Sequence, residues 1–330
     1  MTVPANTTQT IGQTNLREDL SNKVYMVDPF KTPFLTMSGR TKAEAVYHEW
    51  DTDSLAAQNL SNAQIQGDDA TADATTPTAR IGNYTQISRK VIQLAGTLQA
   101  VRAAGATNKM GYQLLKASKA LKRDMEGILT NNAARTAPGA TTAAVTAGLP
   151  AFLTANTVFL TNGTPAGANP TGTTSAGSET FGNGTTARTD NSTTAAISET
   201  DVDDLAQLVF QNSGDCVDYL LVSSKNKQAI SKFTGPGTRF TQVEDKLLRT
   251  AIDEYETDFG KIRIVPDLFL ARSRDCFAIK RPYAKVAYLR PYQVVPLAKT
   301  GDSDKKMLIC EYALEVGNER ACGGIFDTAG

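Results

Sequence analysis

The run YLRPYQVVPLAKTGDSDKKMLICEYALEVGNERACGGIFD, residues 288–327, decides how the rest of the chain is read. In KMLICEYALEV (306–316), Leu308, Cys310, Tyr312, Leu314 and Val316 form one apolar row, while Glu311 and Glu315 stand on the opposite face. That two-residue period is the mark of a strand. Residues 294–297 make a second apolar run, and Thr300-Gly301-Asp302 between the two supplies turn chemistry. The stretch therefore reads as a long antiparallel hairpin.

Working back along the chain, KVAYLRPYQVV (285–295) and CFAIKR (276–281) are further strands. EYETDFGKIRIVPD (254–267) is a hairpin turning at Asp258-Phe259-Gly260, and GPGTRF (235–240) is a loop. VDYLLV (217–222) is a strand handing over to a short helix that Ser223 or Ser224 caps. In SETDVDDLAQLVFQ (198–211), Ser198 or Thr200 caps a helix whose first-turn acids complement its dipole. The helix at 107–132 is the clearest: Met110, Leu114, Ala117, Leu121, Met125 and Ile128 recur at steps of three and four. Its polar side carries Lys109, Lys116, Lys119, Lys122 and Arg123, interleaved with Asp124 and Glu126, which reads as a solvated face.

Two regions lack a core of their own. Residues 133–197 are dominated by Ala, Thr, Gly, Asn and Ser, and are expected to bury little surface. Residues 44–97 hold AVYHEW, a polar tract with Asp51, Asp53, Asp68, Asp69 and Asp73, and the strand-like RIGNYTQISRKVIQLAGT. A polar separation of that length rules out a tight hairpin and points to a loop that either binds something or stays disordered. Residues 1–43, with Pro4, Pro29 and Pro33, suit an extended arm better than a packed helix. The chain is α+β with an antiparallel C-terminal part.

Composition narrows the function. Lys plus Arg and Asp plus Glu number 34 each, so no net field drives the chain onto nucleic acid or an anionic bilayer. No long apolar run or basic leader signals insertion or export. Cys216, Cys276, Cys310 and Cys322 stand far apart, unlike a zinc site or a disulfide frame.

Lys299-Thr300-Gly301 matches one box of penicillin-recognising serine enzymes, and Ser224-Lys225-Asn226-Lys227 matches another. The middle box is absent from 228–298, and Ser224 reads as a helix cap. Asp258-Phe259-Gly260 lacks the other kinase motifs, no phosphate-binding glycine loop occurs, and His48 is the lone histidine, read as a packing residue. The acidic groups of 51–73 lack EF-hand spacing. No catalytic, cofactor or metal residue is assigned.

The stretches AVYHEWDTDSL (45–55), VDYLLVSSKNKQAISKF (217–233), TDFGKIRIVPDLFL (257–270) and, most specifically, residues 288–327 resemble the tailed-bacteriophage major capsid proteins that share the Johnson fold. The resemblance implies an N-terminal arm at 1–43, an extended loop at 44–97, and a peripheral domain at 98–135 and 281–330 with a spine helix at 107–132. It implies an axial domain at 136–280 that includes the low-complexity insertion 136–197. Asp51, Asp53, Asp68, Asp69 and Asp73 would then lie in an inter-subunit loop, and Gly235-Pro236-Gly237 in a loop at the capsomer axis. It implies a virion shell of pentamers and hexamers around double-stranded DNA, assembled in the host bacterial cytoplasm. The partners implied are other copies of the chain, a separate scaffolding protein, a portal and a decoration protein, with weak non-specific DNA contact and no membrane. An encapsulin-like compartment shell is the alternative on the same architecture, and a serine hydrolase on Ser224 and Lys299 is the third reading.

Overall fold

In the computed structural model, described at residues 26–55, 58–67, 69, 77–101, 108–161, 167–174, 180–233 and 254–329, the chain enters through helix α1 (Pro33–Met37). Pro33 starts that helix because the first turn needs no amide from it. The arm is thus not wholly extended: Phe34 and Leu35 bury on the long helix, a packing gain that the count of prolines conceals. Strand β1 (Gly39–Lys42) follows, then β2 (Tyr47–Thr52) and β3 (Ala79–Tyr84). Next come β4 (Gln86–Ala95), the short helix α2 (Gly96–Ala100) and the long helix α3 (Lys109–Thr130). Asn108 caps α3 by accepting from the Gly111 amide at 2.8 Å.

Beyond α3 lie β5 (Thr157–Phe159), β6 (Gly172–Thr174) and β7 (Thr180–Gly182), then α4 (Glu199–Ser213). Ser198 and Asp201 form a reciprocal capping box at the start of α4, and Gly214 ends it with the left-handed φ of 70° that glycine tolerates. Strand β8 (Tyr219–Val222) leads into α5 (Ser224–Ile230), capped by Ser223. The remaining strands are β9 (Glu254–Thr257), β10 (Gly260–Pro266), β11 (Cys276–Ile279), β12 (Ala284–Pro296), β13 (Ser303–Val316) and β14 (Gly323–Phe326).

Among the described residues these strands build two main sheets. One has the order β1-β12-β13-β4, with β13 antiparallel to both neighbours and β1 parallel to β12. The other has the order β5-β14-β11-β8-β10-β9, with parallel pairs at β14–β5 and β10–β8. One apolar cluster joins α1, α3, β13 and residues 147–153; a second joins α4 to the six-stranded sheet.

One expectation needs correction. Residues 133–197 do bury apolar surface: Leu149, Ala151, Phe152, Leu153 and Phe181 sit in the first cluster, because a few large side chains among many small ones still find the core. The face of β13 carrying Glu311 and Glu315 is also buried, since β2 and β3 lie across it.

Candidate assembly interface

Strands β2 and β3 pair antiparallel from Tyr47↔Tyr84 to Thr52↔Ala79, forming a two-stranded ribbon that is open at residues 53–78. Its root is fixed by polar groups. The fully buried Asn83 side chain donates to Thr146 Oγ1 at 2.9 Å and Leu314 O at 2.9 Å, and accepts from the Ala147 amide at 2.9 Å. Thr85 Oγ1 donates to Glu311 at 3.0 Å, and His48 Nε2 lies 3.0 Å from Glu315 Oε2. Lys285 and Arg290 complete the carboxylates' partners from β12, at 3.4 and 2.6 Å. Buried charge with such partners is tolerated. His48 is therefore a hydrogen-bonding member of the root as well as a packing one, its ring 5.8 Å from that of Trp50.

The ribbon's tip is the opposite in character. Leu55, Leu60 and Ile65 are 96%, 88% and 79% exposed, with no shield among the described residues. Asp51 faces Arg80 across the ribbon at 3.8 Å, and Asp53 Oδ1 accepts the Ser54 amide at 2.9 Å. Asp69 is exposed, whereas Asp68 and Asp73 lie outside the described residues. Gly235, Pro236 and Gly237 also lie outside them.

A second junction ties the arm to α3. Glu126, completely buried, accepts the Phe34 amide at 2.6 Å and the Leu35 amide at 2.9 Å, capping α1 from another element. Burial and the neighbouring Asp267 push its carboxyl up to about 8. Asp267 rises too, chiefly by burial, so the facing pair holds a proton at neutral pH. The unpartnered, buried Tyr219 phenol lies near this pair.

A third junction pins the low-complexity segment. Arg188, with a side chain wholly out of solvent, meets Asp275 at 2.8 Å, Asp190 at 3.0 Å and Asp327 at 3.7 Å, and covers the Phe326 ring at 3.8 Å. Arg272 binds Asp190, and Arg274 binds Asp327 at 2.6 Å. Asp327 takes a left-handed φ of 64° to bring its carboxylate there. Three guanidinium groups thus meet three carboxylates. Burial pushes Asp275 up to about 6.

None of these junctions has the layout of an active centre. Ser224 is the first residue of α5, and Ser223 takes the cap. Lys299 pairs with Asp304 at 2.6 Å in the turn between β12 and β13, where Gly301 has a φ of 91°. The triplet is a hairpin loop. Asn83, Glu126 and Arg188 were not singled out from the sequence. For Arg188 a signal exists: Arg135, Glu179, Arg188 and Asp190 are the sole charges in 133–197, and a charge kept in so bland a stretch has a partner.

The model of the family described as SU10 major capsid protein matches residues 4–329. The major capsid protein of Escherichia phage Phieco32 is 34% identical over 124 residues, which are 38% of this chain and 35% of that one, so the alignment spans about a third of the relative's length. Among solved structures, the capsid of native GTA particle computed with C5 symmetry superposes with a TM-score of 0.62 at 12% identity, covering 98% of this chain and 100% of that one. A chain of Mycobacterium phage Adephagia superposes with a TM-score of 0.57 at 11% identity, covering 98% of each. The structural likenesses show the Johnson type of α+β fold, and the family match favours a phage capsid protein over the encapsulin alternative. With its family model matched over almost its whole length, this chain belongs to the SU10 major capsid protein family.

Proposed function

We propose that the chain is the shell subunit of a tailed-phage head: copies assemble into the pentamers and hexamers of an icosahedral shell that encloses double-stranded DNA, with no catalytic step. Family membership supports this, but the observation that carries it is the contrast between the ribbon's two ends. A root held by Asn83, Thr85 and His48 projects a tip whose Leu55, Leu60 and Ile65 stand exposed among the described residues. Exposed apolar groups on a rigidly rooted projection are suited to a neighbouring subunit.

In this reading residues 44–97 are the extended loop, 107–132 the spine helix of a peripheral domain at 98–135 and 281–330, and 136–280 the axial domain. Asp51, Asp53, Asp68, Asp69 and Asp73 belong to the inter-subunit loop, and Gly235-Pro236-Gly237 meets its copies at the capsomer axis. A separate scaffolding protein, a portal and a decoration protein are the remaining partners, DNA contact is weak and non-specific, and assembly takes place in the host cytoplasm. Electron microscopy of the purified protein, alone and with its scaffolding protein, tests the proposal; monodisperse monomers in both would refute it. Deleting residues 56–76 leaves β2 and β3 intact and is expected to give a folded chain that forms no shells.

A further inference from the structure

The end strands of a sheet carry unpaired amides and carbonyls, and native chains keep such edges short or charged. Three of the four ends of the two main sheets follow that rule: β1 has four residues, β5 three and β9 four, with Glu254 and Glu256 on the last. The fourth does not. Strand β4 runs for ten residues, QISRKVIQLA, without a proline, and its register with β13 is unbroken from Tyr312↔Gln86 to Ser303↔Ala95. On its other side it pairs with no strand among the described residues. The chain beyond it turns inward: Gly96 donates to Asp302 O at 3.1 Å and Gln99 to Asp304 Oδ2 at 3.1 Å, which carries α2 toward β13 and away from the open edge.

The two faces of β4 differ. Lys90 reaches Asp124 of α3 at 2.5 Å and the Ser88 hydroxyl lies 3.1 Å from that of Tyr312, so one face is engaged with the subunit's own core. The other carries Ile87, Arg89, Val91, Gln93 and Ala95, all exposed, with Ile87 at 53% and Val91 at 54%. In register, Val91 stands beside Met307 and Met307 beside Val295, an apolar row that stops at the sheet's end. An antiparallel copy of β4 continues that row. A dyad normal to the sheet sets one residue opposite its own copy, and two registers overlap the strands almost completely. The one centred on Lys90 brings two lysines together. The one centred on Val91 sets Ile87 against Ala95, Arg89 against Gln93 and valine against valine, with no like charges opposed. Such a contact is isologous, so it closes on a pair of copies instead of running on into a fibre. We infer that β4 pairs antiparallel with β4 of a second copy of this chain, about a twofold axis through Val91, joining two four-stranded sheets into one. The inference rests on the shell reading for the presence of many copies, and adds a contact that the projecting loop does not make.

Cysteine placement tests it. Opposed residues of an antiparallel pair have Cα atoms about 4.5–5.5 Å apart, within the span of a disulfide. Cys276, Cys310 and Cys322 are buried, so the full chain with Cys216→Ser gives a quiet background. In assembled particles of that chain, Val91→Cys is expected to yield mostly disulfide-linked dimers on mild oxidation. Ile87→Cys and Ala95→Cys are each expected to link at least tenfold less alone, and to link to each other when the two variants are mixed before assembly. Particles of the Val91→Cys chain that do not link, that link less than those of Lys90→Cys, or a mixture that gives no Ile87→Cys to Ala95→Cys link, overturn the inference. Charge gives an independent reading. Val91→Lys and Val91→Glu are each expected to keep a cooperative melt and to lose at least tenfold in assembly by light scattering. Their mixture is expected to recover it, because each position 91 then faces the opposite charge. Normal assembly of Val91→Lys overturns the inference, even if that variant loses a different protein partner. If a charged variant fails to fold, the cysteine result decides. Particles that form but stay unlinked at Val91→Cys would leave the shell reading standing. Linked Val91→Cys dimers from a chain that never forms shells would sink that reading and keep this contact.

Discussion

Replacing Glu126 with Gln tests how the arm is held. The wild-type carboxylate accepts two amides, from Phe34 at 2.6 Å and Leu35 at 2.9 Å. Gln offers one oxygen, so one buried amide loses its acceptor, at a cost of about 1–3 kcal/mol. The new amide nitrogen can donate to Asp267 in place of the proton that the facing pair holds in the wild type. That bond replaces the one the wild-type pair makes, so the net loss under acidic conditions stays at about 1–3 kcal/mol. The pH dependence is the sharper signature. Burial and Asp267 raise the Glu126 carboxyl from 4.5 to about 8, so its contribution is complete below 4.5 and is lost as pH rises through 8. The loss approaches about 1.4 kcal/mol per pH unit where the unfolded carboxyl is ionised and the folded one is not. Glu126→Gln removes this slope, so the wild-type advantage is used up about one to two pH units above 4.5, and the two stability curves cross well below pH 8, with the variant the more stable beyond the crossing. Urea unfolding of the unassembled subunit at pH 5, 7 and 9, with hydrogen exchange of the Phe34 and Leu35 amides, reads both effects. Parallel curves at every pH, or unchanged protection of both amides, would refute the reasoning.

Other substitutions probe the remaining junctions. Arg188→Met takes from the buried Asp275 its partner at 2.8 Å, while Asp327 keeps Arg274, and is expected to cost about 3–5 kcal/mol, seen as a lower melting temperature; a loss under about 1 kcal/mol would mean that the network does not pin residues 188–191. Asn83→Ala leaves the Ala147 amide and Leu314 carbonyl without that partner, for about 2–4 kcal/mol, and limited proteolysis should then cut the ribbon root faster. Glu319 accepts from Thr154 N at 2.6 Å, and burial pushes its carboxyl from 4.5 up to about 7. Its raised value means stability lost between those pH values, so Glu319→Gln should flatten that part of the wild-type curve, and an unaltered slope would count against the assignment.

What the sequence showed depended on whether the cause was local. Helix α3 was legible to within two residues at each end because its apolar period and Asn108 act within one or two turns. The same holds for α4, whose capping box needs four residues, and for the turn at Asp258–Phe259 between β9 and β10. Parallel pairs such as β1 with β12 leave no local mark, since the partner lies far along the chain. Average composition misled at 133–197, where Leu149, Phe152 and Leu153 are few but all are buried. Glu126 looked like one more charge on a polar face; its place beside Met125 and three residues before Leu129 sets it at the edge of the buried stripe. Only the arm packing there shows why an acid stands at that edge.

Strand β13 is bonded along both edges, to β12 through Ala284↔Val316 at one end and Pro296↔Lys306 at the other, and to β4 from Ser303↔Ala95 to Tyr312↔Gln86. At about 3.4 Å per residue it spans roughly 45 Å. Tension applied along such a strand loads two hydrogen-bond ladders in shear, and many bonds must fail together before it slips. The four-residue β1, held on one edge, can instead peel away bond by bond. Under stretching, the part of the chain given by residues 303–316 should be the last to yield, while the arm that precedes it lets go first.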